Sequence, residues 1–189
     1  MPTPRLLILA TALALALAAP VARASQALHQ TLRDLTTGSS DIVIGRVERT
    51  LTHWNDAHTR ILTDVTVRVS ETLKGTGEAT LTLTQLGGDL DGFRYSVPGS
   101  PLFRSGEEAL LFVWRDARGR AQVNGLAQGK FDIATDPATG ARTVQRAPGG
   151  PQVREVSTLG VVPAGEPAPR LRLDDMVGEI RNILTEGGR

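Results

Sequence analysis

Arg60-Ile-Leu-Thr-Asp-Val-Thr-Val-Arg-Val-Ser-Glu-Thr-Leu-Lys-Gly75 decides the fold. Ile61, Thr63, Val65, Val67, Val69, Glu71 and Leu73 share one parity, and Arg60, Leu62, Asp64, Thr66, Arg68 and Ser70 share the other. Strict alternation over such a length predicts a long, half-buried β-strand, and Lys74-Gly75 stops it.

The period of two continues on both sides of this segment. Downstream, Ala79, Leu81 and Leu83 alternate with Thr80, Thr82 and Thr84. Upstream, Ile42 and Ile44 alternate, Gly45 interrupts, and Val47 resumes on the other parity, which predicts a bulge or bend. Gly87-Gly88 and Asp91-Gly92 then mark turns around a short arm of Phe93, Tyr95 and Val97. Pro98 to Gly106 reads as a loop. Ala109 to Trp114 is continuously apolar, as a strand covered on both faces would be. Asp116 to Gly119 reads as a hairpin turn with Gly119 left-handed. Gln122 to Ile133 is a strand region broken by Gly125 and Gly129, and Asp136 to Gly140 turns it into a last arm around Thr143 to Gln145.

Helices are expected at both ends. Leu28, Leu32 and Leu35 make one stripe over Ser25 to Thr37, with His29 on the wet side. Leu173, Met176, Val177, Ile180, Ile183 and Leu184 make another from about Leu173 to Leu184, with Asp174 and Asp175 in its first turn. Many short strands between two helices predict a mostly β fold, an antiparallel barrel whose closure removes exposed sheet edges.

Residues 1–24 read as a signal peptide. Arg5 precedes an apolar run from Leu6 to Ala19, Pro20 ends it, and Ala22-Arg23-Ala24 matches the small-x-small cleavage pattern. The run is shorter than the ~20 residues of a membrane-spanning helix. Residues 25–147 are expected to form the barrel domain, 148–170 a Pro/Gly-rich linker with an edge strand at Val156 to Val162, and 171–189 the C-terminal helix and tail. The expected product is an exported monomer, periplasmic or extracellular, with no transmembrane segment.

Composition narrows the chemistry. The chain has no cysteine, so disulfides, thiolate metal sites and a cysteine nucleophile are excluded. Its 21 Lys and Arg nearly balance 20 Asp and Glu, which gives no electrostatic reason to bind nucleic acid. The two Trp, four Phe and one Tyr form no spaced stacking platform. No His-Glu-x-x-His, Gly-x-Ser-x-Gly or phosphate-cradling glycine loop occurs, so no catalytic residue and no cofactor are expected.

Three segments remain as candidate sites. His53, Asp56 and His58 flank Trp54 in one loop, where they could hold a transition metal or form a polar turn around a half-covered Trp54. Gln85 continues the parity of Leu81 and Leu83. It is either a polar group at the barrel mouth beside Gly87 and Gly88, where a partner's backbone could approach, or an amide serving the Gly99 to Gly106 loop. Gln128 and Lys130 are expected on a rim, as partner contacts or as solvated surface.

The order of segments resembles a known family. Asp41-Ile-Val-Ile-Gly-Arg-Val47, Thr63 to Lys74-Gly75 and Gly106-Glu-Glu-Ala-Leu-Leu-Phe112 are similar to the netrin-like OB-fold, shared by the tissue inhibitors of metalloproteinases. Pro98-Gly-Ser-Pro-Leu-Phe103 and Gly125-Leu-Ala-Gln-Gly-Lys-Phe131 resemble segments of exported bacterial proteins. The resemblance implies an OB-fold-like barrel that binds another exported protein, a protease among the options. The inhibitors engage zinc through an N-terminal cysteine that this chain lacks, so no inhibitory residue carries over. Two other functions stay open at this point. One is a metal-dependent hydrolase using the His53–His58 loop. The other is a structural envelope protein that docks through its C-terminal helix.

Overall fold

The alternating segment forms β2 (Ile61–Lys74), paired antiparallel along β1 (Asp41–Trp54) in the computed structural model. The structure describes residues 29–147 and 169–187. The expected signal peptide, Ser25 to Leu28 of the expected first helix, and the linker through Ala168 lie outside the described residues.

β2 also pairs antiparallel with β3 (Thr80–Leu86). The hairpin β4 (Gly88–Leu90) and β5 (Phe93–Tyr95) follows, and then β6 (Glu108–Arg115) and β7 (Ala121–Val123). β3 meets β7 in parallel at Leu83 and Ala121, β7 pairs with β6, and β6 pairs with the first half of β1. The order β1-β2-β3-β7-β6 and back to β1 is a closed five-stranded, OB-fold-like barrel. β8 (Lys130–Thr135), β9 (Arg142–Arg146) and β10 (Leu171–Arg172) extend the sheet outward from β6.

Two cores explain why some strands alternate and others do not. Val43, Val47, Val65, Val67, Leu81, Leu83, Ala109, Leu111 and Val113 fill the barrel. Ile42, Ile44, Leu110, Phe112, Phe131 and Val144 face outward, where helix α1 (Leu32–Gly38) and helix α2 (Leu173–Gly187) cover them. β6 therefore carries apolar side chains on both faces, and Ala109 to Val113 are all inaccessible to solvent. β1 does the same at its start. Ile42 and Ile44 therefore differ from Val47 because each set belongs to a different core. The register against β2 does shift between Ile44 and Gly45, as the glycine suggested. A Cβ at Gly45 would lie 2.6 Å from the Arg68 carbonyl oxygen, so the position requires glycine.

The helix α2 is an integral part of the second core. Leu173, Met176, Val177, Ile180 and Ile183 are buried there, and each apolar side chain so buried contributes roughly 1.5–3 kcal/mol. α1 is shorter than the leucine stripe suggested. Thr31 caps it, its hydroxyl accepting from the Asp34 amide while Asp34 accepts from the Thr31 amide, so the helix begins at Leu32. His29 precedes the cap and is exposed. At the other end, Lys74 Nζ donates to the Thr36 and Thr37 carbonyls at 3.0 and 3.2 Å, capping the helix from the β2 terminus.

Among the described residues no helix is long and apolar enough to cross a membrane.

Candidate functional site

The mouth of the barrel beside the β1–β2 turn gathers the half-buried Trp54 and the exposed Phe93 and Tyr95. Asn55 organises that turn: its Oδ1 accepts from the Thr59 and Arg60 amides at 2.8 and 2.9 Å. The β4–β5 hairpin closes through Asp91 and Gly92, both left-handed at φ 51° and 79°, as a two-residue type I′ turn requires. Arg94 grips Asp89 across this hairpin with two parallel hydrogen bonds, at 2.9 and 3.0 Å.

Trp54 joins the two units. Its indole N–H donates to Asp91 Oδ2 at 3.0 Å, and its ring meets Phe93 edge to face with centroids 5.9 Å apart. The His58 ring also meets Trp54 edge to face, with centroids 6.1 Å apart. Phe93 is 62% exposed and Tyr95 46% exposed. A cleft of about 360 Å³ runs between Trp54, Arg60, Ile61, Phe93, Arg94 and Tyr95.

A second cleft, of about 480 Å³, adjoins the first and shares Thr59 and Arg60 with it. It lies between the β1–β2 and β6–β7 turns, over the ends of β2 and β3. Leu62 and Leu86 line it together with Gln85, Arg60, Arg118 and Arg120. Asp116 sets the far wall: its Oδ1 accepts from the Arg118 and Arg120 amides, and its Oδ2 accepts from Arg120 Nε at 2.8 Å.

The structure brings together some of the residues anticipated from sequence and separates others. Trp54, Gln85, Gly87 and Gly88 all stand at this mouth. Gly87 and Gly88 approach the protein's own backbone and side chains. A Cβ at Gly87 would lie 2.7 Å from the Tyr95 carbonyl oxygen, and one at Gly88 would lie 2.6 Å from Thr52 and Thr63. The amide oxygen of Gln85 is enclosed without a hydrogen-bond donor.

Gln128 and Lys130 are not on a rim. They are 2% and 1% exposed, because Leu126–Gly129 forms a 3₁₀ turn that folds this segment inward. Gln128 Oε1 accepts from the Gln30 amide at 2.9 Å. Lys130 Nζ contacts Asp132 and stands 2.9 Å from Glu107 Oε1, above the Phe103 ring. The Glu107 contact is an ion pair without hydrogen-bond alignment, and that oxygen has no other partner.

The His53–His58 loop does not converge on a metal position. Asp56 and His58 are exposed, while His53 turns to the Trp54 carbonyl at 2.9 Å and Asp64 at 3.1 Å. The Trp54 carbonyl, and then the Asp64 carboxylate, raise the His53 pKa above the ordinary imidazole value. Among the described residues no group of three or more His, Asp or Glu side chains is placed to hold a metal ion.

No family model matches this chain, and no curated protein matches its sequence.

Phe93 and Tyr95 were legible as strand residues but not as a site. They share one parity beside a two-residue turn, which was the available signal. The arginines of the second cleft carried no signal, since Arg60 lies far in sequence from Arg118 and Arg120.

Proposed function

We propose that the protein is an exported, non-enzymatic binding module that engages another exported protein through the mouth around Trp54, Phe93 and Tyr95. One observation carries this reading: three of the chain's few aromatic side chains are gathered on one solvent-facing patch, with Arg60 and Arg94 beside them. Aromatic residues and arginine are the types enriched at the energetic centres of protein interfaces. The patch is also preorganised. Asn55, the Asp89–Arg94 pair and the Trp54–Asp91 hydrogen bond hold it without a partner, which lowers the ordering cost of association.

The netrin-like resemblance agrees with a module of this kind, and a protease is one partner it allows. The metal-hydrolase alternative has no converging ligands to support it. Docking through the C-terminal helix is disfavoured because the apolar face of α2 is already spent on the second core.

The test is capture of exported proteins on the immobilised protein, beside a Phe93→Ser/Tyr95→Ser variant. A protein retained by the native surface and lost from the variant is the expected result. Retention of the same proteins by both, or of none by either, would overturn the reading.

A further inference from the structure

The second cleft shares Thr59 and Arg60 with the aromatic patch, but its chemistry is distinct. Arg60, Arg118 and Arg120 line it, and no acidic side chain does. Asp116 neutralises Arg120 from behind at 2.7 Å. Arg60 and Arg118 have no ion-pair partner among the described residues and are exposed. Two uncompensated guanidinium groups on one cleft favour an anion, and their forked donors suit a carboxylate.

Gln85 adds a second requirement. Its amide oxygen is buried and accepts no hydrogen bond, and an enclosed acceptor left unpaired is destabilising. The Gln85 side chain lines the cleft, so a rotation that turns this oxygen outward lets an N–H donor of a ligand pair with it and removes that penalty. Leu62 and Leu86 give the wall an apolar strip on which the methylene stem of an acidic side chain can lie, and Asn55, Thr59, Thr84 and Gln122 offer polar groups beside it.

We propose that this cleft takes an Asp or Glu side chain from an extended acidic segment of the partner protein. Arg60 and Arg118 bind the carboxylate, and Gln85 accepts a backbone amide of the same segment. Thr59 and Arg60 border both clefts, so such a segment continues directly from the aromatic patch. This assignment rests on the protein-binding reading and specifies the chemistry of the partner.

The test is a nuclear magnetic resonance titration of the purified protein with a synthetic peptide of alternating Asp and Ser. The neutral Asn/Ser peptide, polygalacturonate and inorganic phosphate serve as the other probes. Saturable shifts of the Gln85 side-chain amide and of the Arg60 and Arg118 Nε–H signals are expected with the acidic peptide alone. Arg60→Ala/Arg118→Ala should weaken this binding at least about tenfold, and both positions are exposed enough to leave the fold intact. Leu171→Ala, at an exposed position that lines neither cleft, should leave it unchanged, and partner capture is scored separately, so loss of peptide binding and loss of partner capture are separable results. Absent shifts, equal shifts with the neutral peptide, or saturation by polygalacturonate or phosphate instead would overturn the assignment.

Discussion

Trp54 and Asp91 are joined by an indole hydrogen bond of 3.0 Å that ties the β1–β2 turn to the tip of the β4–β5 hairpin. The hairpin forms a separate two-stranded sheet, which this bond and the Trp54–Phe93 contact fix to the mouth at its tip, while Gly88 packs on Thr52 and Thr63 at its base. Trp54→Phe keeps a ring but removes the donor. We expect a loss of about 1 kcal/mol, with hydrogen exchange accelerated across Gly88–Leu90 and Phe93–Tyr95 and unchanged in β2. Unaltered exchange in the hairpin would show that the bond does not hold it.

Two glycines in the same hairpin should respond differently to alanine. Gly88 has φ 144° and no room for a Cβ, whereas Gly92 has φ 79° and nothing within 4 Å. Gly92→Ala should cost about 1–2 kcal/mol, the strain of a left-handed residue. Gly88→Ala should cost more than this, because Thr52 or Thr63 must also move. Equal losses in urea denaturation would contradict the packing described for Gly88.

Lys130 is the most deeply buried charge at the base of β8. Replacing it alone with methionine leaves Glu107 Oε1 buried without a partner, so Lys130→Met should destabilise the fold by about 3–5 kcal/mol. Lys130→Met/Glu107→Met should recover a large part of that loss, since the unpaired charge is gone. A double variant as unstable as the sum of the two single ones would show that the pair is not coupled.

His53 makes stability depend on pH in a defined direction. Its pKa is raised in the folded state, first by the Trp54 carbonyl and also by Asp64. The stabilisation is therefore complete below the unfolded imidazole value and is lost as pH rises through the folded one. His53→Gln should lower the melting temperature at about pH 5 and make little difference at about pH 9. A deficit that grows with pH would reverse the assignment.

The barrel was legible because its signals are local. The alternation over Ile61 to Lys74, the glycines at turns and the apolar run of β6 each report a nearby backbone requirement. The second core was less visible. Ile42 and Val47 looked like a parity break, yet they belong to opposite faces of one strand, and only the packing of α2 shows why. Lys130 was misplaced because a lysine is ordinarily a solvated residue, and nothing in Gln128-Gly129-Lys130 signals that a 3₁₀ turn folds it inward beside Glu107. The polar cleft is a product of barrel closure, which brings Arg60 of one hairpin opposite Arg118 and Arg120 of another.

The most direct test of the aromatic mouth is the affinity of the captured partner for single-alanine variants. Phe93→Ala removes the most exposed ring of the patch, while Leu171→Ala removes a similarly exposed apolar side chain on β10. Phe93→Ala is expected to weaken binding by about 2 kcal/mol or more, roughly 30-fold in Kd, and Leu171→Ala to leave it unchanged. Equal affinity for the two variants would contradict the assignment of the mouth as the binding surface.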